Sequence, residues 1–325
     1  MIMNILLTGF FGEGNLGDDS ILRAIFANLN KNDQLVFTSG NSPTISGPIP
    51  IKRKGFLSWP LFLNALKDSN ATVFSGGILQ DWTFDGTIFF ALRILAAASF
   101  NKRPSLWGAG MGPIRSKAAR RIAAKAINRL ETAWLRDDFS IETFRRIKSQ
   151  KANVNLNRGT DFSWHFKIEF LEKSQLNGPL GLNLRPWVFS SDWKKNIINQ
   201  LKFIDRHMIG IAARKSDVAT IKKYSPKATL LIPDSFQRSA QICRQLGCGI
   251  AMRYHIGLAM LRSGIPTKLI GYDPKVVNLA QKAGIELLKS NSLSGFKVAN
   301  KDFLISEQKQ YSSMQQAFKE YLTEK

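Results

Sequence analysis

Cysteine, histidine and acidic residues are all scarce in this chain. Two cysteines in 325 residues, Cys243 and Cys248, cannot build a disulfide framework, and the composition fits a reducing compartment. With three histidines and no His/Cys/Asp cluster at metal-ligand spacing, neither a structural nor a catalytic zinc is expected. No serine, histidine and aspartate read as a nucleophilic triad. Long hydrophobic runs are also missing. The longest, residues 88–100, is interrupted by Arg93 and falls short of the roughly 20 residues that span a bilayer. The first seven residues carry no cationic n-region, so they read as a first strand rather than a cleaved signal. Any membrane contact is therefore expected to be peripheral, from the cytoplasmic side. There is no internal repeat and no low-complexity tract.

The shortage of acid sets the charge. Against 46 Lys and Arg stand 24 Asp and Glu, a net charge of +22. Such an excess points to polyanionic partners: nucleic acid, anionic lipid or phosphorylated substrates. No zinc finger, RNP-type aromatic motif or helix-turn-helix signal supports nucleic acid.

What is present is a globular balance of 44% hydrophobic and 22% charged residues, which excludes disorder as the main state. At about 150 residues per domain the length suggests two domains. Short apolar runs alternate with helical patterns, the α/β signature. Strands are expected at 4–8, 34–38, 71–74, 105–107 and 133–135, with helices at 19–29, 59–67, 87–100, 117–130 and 140–148. After a polar stretch the alternation restarts. Strands follow at 181–184, 208–212, 228–232, 249–252 and 268–270, and helices at 193–204, 235–246, 256–263 and 275–283. The pattern implies a Rossmann-like domain over 1–166, a linker over 167–180 and a second over 181–304. A final helix in 305–325 is expected to pack back on the first domain. Two open sheets facing a cleft would bind ligands outside the carboxyl ends of their strands.

Glycine loops sit at those ends. Gly12-Glu13-Gly14-Asn15-Leu16-Gly17 is a literal G-x-G-x-x-G between a strand and a helix. Asp18 and Asp19 follow at once; they suit a helix N-terminus but oppose a pyrophosphate there. The acidic residue expected after the second strand is replaced by Thr38-Ser39-Gly40, which argues against a nicotinamide cofactor. Ser75-Gly76-Gly77 and Gly108-Ala109-Gly110-Met111-Gly112-Pro113 are further loops that let a ligand approach backbone. Arg136 leaves the next strand. It would pair with Asp137 or Asp138, or hold a carboxylate or phosphate bidentately.

In the second half Met252-Arg253-Tyr254-His255 joins a strand to a helix, and Gly271-Tyr272-Asp273-Pro274-Lys275 follows the next strand. Arg253, His255 and Lys275 would lie at neighbouring strand ends, a histidine acid/base beside an anion site or else a capping or core histidine. His165 and His207 have no such surroundings.

Four segments together resemble the polysaccharide pyruvyl transferase family. They are Gly9-Phe10-Phe11 with the loop through Asp19, Gly108 through Ile114, Gly181-Leu182-Asn183-Leu184-Arg185-Pro186-Trp187, and Met252 through Lys275 with its Tyr272-Asp273-Pro274. The resemblance implies a GT-B-like fold, no cofactor, and phosphoenolpyruvate as donor substrate. Its pyruvyl group would move to two hydroxyls of a glycan or lipid-linked glycan acceptor. Arg136, His255 and Lys275 match the family's positions for handling phosphoenolpyruvate. His255 would be the acid/base, with Asp18 or Asp19 orienting a sugar hydroxyl. Gly14, Asn15, Gly76, Gly77, Gly110, Arg185, Arg253 and Tyr272 would line the substrate site. Residues 205–235 depart from the pattern and lack the acidic loop it implies after a second-domain strand. A nucleotide-sugar glycosyltransferase of the same architecture is the alternative.

Two basic features remain. Lys117, Arg121, Lys125 and Arg129 recur every four positions as a helical stripe, with Ile122, Ala126 and Leu130 on another face. Lys52-Arg53-Lys54 precedes Phe56, Leu57, Trp59 and Phe62. Each suits either an anionic membrane surface or a solvated face beside a core-packing helix.

Overall fold

The computed structural model describes residues 2–40, 46–82, 84–172, 177–188, 201, 206–288 and 295–323. The chain divides into two compact units. The first comprises Met1–Glu13, Ile21–Trp164 and Gln308–Lys325; the second comprises Gly14–Ser20 and His165–Glu307.

The first unit is built on a parallel sheet. Its strands are β1 (Asn4–Phe11), β2 (Gln34–Ser39), β3 (Ile49–Lys52), β4 (Ala71–Phe74), β5 (Gly77–Ile78), β6 (Pro104–Met111), β7 (Thr132–Leu135) and β8 (Asn155–Arg158). The order is β3-β2-β1-β4-β6-β7-β8, with β5 paired to β6. The chain starts in the middle, winds outward to β3, then returns to β4 and winds the other way. The reversal between β1 and β4 opens a crevice at the strands' carboxyl ends, where open α/β sheets bind ligands. Buried apolar side chains at Ile5, Leu6, Leu7, Val73, Phe74, Leu106 and Ala133 show why these strands read as uninterrupted apolar runs: both faces are covered.

Helices α1 (Leu16–Phe26), α2 (Ser58–Asp68), α3 (Phe84–Ser99), α4 (Lys117–Ile127) and α5 (Asp138–Ile147) connect the strands. On α4, Ala119, Ala123, Ala126 and Ile127 are buried, while Lys117, Arg121 and Lys125 stay exposed on the solvated face. Arg129 lies beyond the helix end and Leu130 is buried, so the four-residue repeat outlasts the helix that carries it.

The second unit has a five-stranded parallel sheet of β9 (Leu180–Asn183), β10 (Met208–Ile211), β11 (Thr229–Leu231), β12 (Cys248–Ala251) and β13 (Thr267–Leu269). Its order is β11-β10-β9-β12-β13, the same centre-outward winding with its reversal between β9 and β12. Helices α6 (Lys215–Tyr224), α7 (Phe236–Cys243), α8 (Tyr254–Arg262) and α9 (Pro274–Ala283) join them. Asp273 caps α9 by accepting from Lys275 N at 3.0 Å, Pro274 opens it and Gly284 at φ +66° closes it.

Helix α10 (Lys301–Thr323) begins before the 305–325 span expected for it. Its later turns belong to the first unit. Phe318 meets the Trp107 ring at 5.0 Å and the Phe162 ring at 5.5 Å, and Tyr321 lies 5.4 Å from Trp107. Asn28 Nδ2 donates to Tyr311 Oη at 3.2 Å.

Three strands and one helix fall outside the sequence expectation. β3 holds Pro50 and sits at the sheet edge, β8 is polar, and β5 is two residues long. α6 is mostly polar, burying only Asp217 and Ile221. The helix expected over 193–204 lies outside the described residues but for Leu201.

Candidate active site

At the carboxyl end of the first sheet two of the segments expected as glycine loops are partly strand: β6 runs past the expected 105–107 through Gly108 and Gly110 to Met111, and Gly77 opens β5, which pairs with it. Gly110 N donates to Gly76 O at 2.9 Å, and Gly112 N to Leu79 O at 3.1 Å. Gly76, Gly108 and Gly112 take φ of +81°, +57° and +77°, a left-handed backbone that favours glycine. Leu79 holds φ +47° without being glycine, a strained, buried position beside Gly77. Behind this wall lies Arg136. A β-carbon on Gly110 would stand 2.5 Å from its Nη2, so only glycine lets the guanidinium lie against the end of β6.

Arg136 is 3% exposed and sits between two buried carboxylates. Nη1 donates to Asp161 Oδ2 at 2.8 Å, and Nε lies 3.5 Å from Asp137 Oδ2. Asp137 also accepts from Ser140 N at 2.7 Å as the cap of α5. The partnership with Asp137 is one the sequence offered; Asp161 is not, and Asp138 pairs with Arg158 instead.

The second unit gathers the larger group of polar residues. Asn183, at the end of β9, is fully buried. Its Oδ1 accepts from Arg253 N at 2.8 Å and its Nδ2 donates to Ile211 O at 2.8 Å, tying together β9, β10 and the start of α8. The Arg253 guanidinium grips Asp217 with two bonds of 2.6 Å, from Nε and Nη2. Asp217 in turn accepts from Ala213 N at 3.1 Å and Arg214 N at 3.2 Å, closing the first turn of α6. Both partners are buried, so each charge leaves water only because the other is bidentate to it. Within 205–235, Asp217 is thus a fully buried carboxylate in the first turn of α6.

This frame fixes His255 in the first turn of α8. Gly14–Ser20 clusters with this unit, and Leu16 N donates to Ala213 O at 3.1 Å. Gly17 lies against the imidazole: a β-carbon there would fall 1.9 Å from Nδ1. Asp18 is half-buried and accepts from Asn15 Nδ2, and Asp19 is buried with its N–H on Asn15 O at 3.0 Å. Gly14, at φ +62°, has open space around it.

Lys275 occupies the first turn of α9, with Nζ 3.2 Å from Asp273 Oδ2. β12 and β13 are paired neighbours, so Arg253, His255 and Lys275 issue from adjacent strand ends, as their spacing implied. Arg185 reaches across from β9. Its Nη1 donates to Tyr272 Oη at 3.0 Å, and its guanidinium carbon lies 5.0 Å from the Trp187 ring and 5.3 Å from that of Tyr272. Since β12 lies between β9 and β13, the Arg185–Tyr272 bridge passes over the strand end that launches His255.

The other histidines are used locally: His165 meets Phe166 at 5.3 Å, and His207 Nε2 is 3.4 Å from Thr229 Oγ1. Among the described residues no group of three or more His, Cys, Asp or Glu could hold a metal ion. No described helix is long and apolar enough to cross a membrane.

Solved structures share this architecture at low identity. UDP-GlcNAc 2-epimerase from Neisseria meningitidis bound to UDP-GlcNAc superposes with a TM-score of 0.58 at 12% identity, covering 98% of this chain and 93% of that one. Anabaena HepE in complex with UDP and glucose gives 0.57 at 12% identity, covering 99% and 95%. Phytolacca americana UGT2, complexed with UDP-2-fluoro-glucose and pterostilbene, gives 0.52 at 9% identity, covering 97% and 94%. These likenesses establish the fold: two Rossmann-like open sheets of the GT-B-like class. No curated protein matches the chain by sequence. The family described as polysaccharide pyruvyl transferase matches residues 15–274, and the chain belongs to that family of transferases.

Proposed function

We propose that this chain is a ketal pyruvyltransferase of cell-surface polysaccharide biosynthesis. It would transfer the pyruvyl group of phosphoenolpyruvate to two hydroxyls of one glycan sugar. The family match, which runs from the first glycine loop through His255, carries the reading. The donor bears a carboxylate and a phosphate, and both need cations. In this reading Lys275 and Arg136 would be those cations, as the family resemblance implies, and Arg185 and Arg253 would line the substrate site within the second unit.

In the reaction a proton adds to the donor's methylene carbon, and the neighbouring carbon accepts the first sugar oxygen. That hydroxyl's proton balances the one consumed. The second hydroxyl then displaces phosphate, and its proton leaves with the phosphate as the ketal ring closes. His255 is the acid and base of these transfers, and Asp18 or Asp19 orients a hydroxyl. The reaction needs no cofactor. The acceptor is a glycan or its lipid-linked precursor, and the enzyme works in the cytoplasm.

Thermal shift tests the donor. Phosphoenolpyruvate at a hundred times its dissociation constant should stabilise the protein by about 2.7 kcal/mol. Arg136→Ala and Lys275→Ala should abolish the shift. A shift with UDP-sugars alone would replace this reading with a nucleotide-sugar glycosyltransferase. Full turnover by His255→Gln would remove the histidine from the chemistry.

A further inference from the structure

β3 and the loop after it form an amphipathic edge of the first unit. β3 pairs only with β2, so its other side is the end of the sheet. Along this stretch the side chains divide sharply. Arg53 turns inward: it is 2% exposed, paired with Glu13 and 4.7 Å from the centre of the Phe10 ring. Phe62 is buried and Trp59 is half-buried with the Arg93 guanidinium 5.0 Å from its ring centre, so the basic and aromatic cluster is not one surface. What remains outside is a smaller set. Lys52 and Lys54 are exposed, and neither has an ion pair with a described residue. Phe56 is 95% exposed, and Leu57 and Ile49 are each 53% exposed. Gly55, at φ +94° with open space around it, makes the bend that puts Phe56 outside.

From this geometry we infer that the 49–57 edge docks on an anionic lipid surface. Phe56 and Leu57 enter at headgroup depth, and Lys52 and Lys54 meet the lipid phosphates. Charge selects the occupant. The sequence between Asp33 and Asp68 holds no acidic residue, and Glu13, a carboxylate that reaches this edge, is ion-paired with Arg53. A second copy of this chain would bring its own +22 against the same lysines. The inference concerns where the protein sits and does not depend on the donor it uses.

Vesicle co-sedimentation of the full chain tests it, with phosphatidylcholine alone against phosphatidylcholine containing phosphatidylserine. A charge of +22 will draw the protein to anionic vesicles at low salt whatever the loop does, so the measurement is made near 0.15 M salt, where the Debye length is about 8 Å. Wild type should sediment with the anionic vesicles and not with the neutral ones. Phe56→Ser/Leu57→Ser leaves the charge unchanged and should lower partitioning at least tenfold. Lys52→Gln and Lys54→Gln should each lower it about fivefold. Lys117→Gln/Arg121→Gln/Lys125→Gln on α4 removes more charge from another surface and should cost less than the loop variants. A Phe56→Trp protein should show blue-shifted emission on anionic vesicles only.

Wild-type partitioning by Phe56→Ser/Leu57→Ser would overturn the inference, as would an equal loss in the α4 variant. A blue shift of Phe56→Trp on concentrating the protein without lipid would assign the edge to self-association instead.

Discussion

Gly17 carries its consequence in a missing methyl group. The imidazole of His255 occupies the space where any other residue would place a β-carbon, 1.9 Å from Nδ1. Gly17→Ala should therefore turn the ring out of its position while the helix beneath persists. With phosphoenolpyruvate as the donor proposed above, the expected outcome is turnover lowered about a hundredfold, as small displacements at a reacting group can cause. Wild-type turnover in this variant would separate Gly17 from the chemistry. Asp217 holds Arg253, which stands two residues before His255 at the start of α8. Asp217→Asn leaves a buried guanidinium short of its counter-charge, and breaking such a pair costs about 3–5 kcal/mol, measurable by urea unfolding. The cysteines are the opposite case. Burial pushes both thiols up, with Arg206 partly opposing this at Cys248, and the thiolate is the reactive form. Native protein should resist iodoacetamide at pH 8, whereas the unfolded chain should take two equivalents.

At this scale the sequence is legible where a residue sits beside a pattern. Arg136, His255 and Lys275 each follow a short apolar run, which marks them as strand-end residues. Asp161 and Asp217 follow no such signal. Their partners lie 25 and 36 positions away, and only the folded sheet brings them together.

At the scale of elements, the central strands are the readable ones, because burial on both faces demands continuous apolar sequence. β3 and β8 stand at sheet edges, where one side needs no covering, and their Ile-Pro-Ile-Lys and Asn-Leu-Asn-Arg carry little strand signal. The helix α10 was visible as a tail, but the depth of its attachment was not. Phe318 is fully buried against the rings of Trp107 and Phe162, so Phe318→Ala should cost about 3–5 kcal/mol of the first unit's stability. Tyr311, on the same helix, has its hydroxyl pushed up to about 12 by burial, with the Asn28 hydrogen bond partly opposing. Its folded value lies above the unfolded one near 10, so its contribution is intact below pH 10 and is lost as pH rises toward 12. Alkaline denaturation should accordingly be less steep over that window in Tyr311→Phe than in wild type.

For the whole molecule, charge and topology are separate properties. The net charge of +22 requires non-selective affinity for polyanions. Two unrelated DNA duplexes should bind equally in a gel-shift titration, and both should weaken together as salt is raised from 50 to 200 mM, roughly a thousandfold or more if six or more phosphates are contacted. Preference for one duplex would restore a nucleic-acid role. Topology, in contrast, is repeated: each sheet starts in its centre, winds two strands outward and then reverses. No sequence repeat announces this, because the two sheets share a winding rather than side chains.

The first unit takes its last piece, Gln308–Lys325, from the far end of the chain. Synthesis runs from the amino end, and domains usually close as they emerge. Here the surface formed by Trp107 and Phe162 stays uncovered until Tyr311, Phe318 and Tyr321 have been made. The unit that begins first on the ribosome is thus finished last, and during that interval it offers chaperones an aromatic face that the mature protein hides.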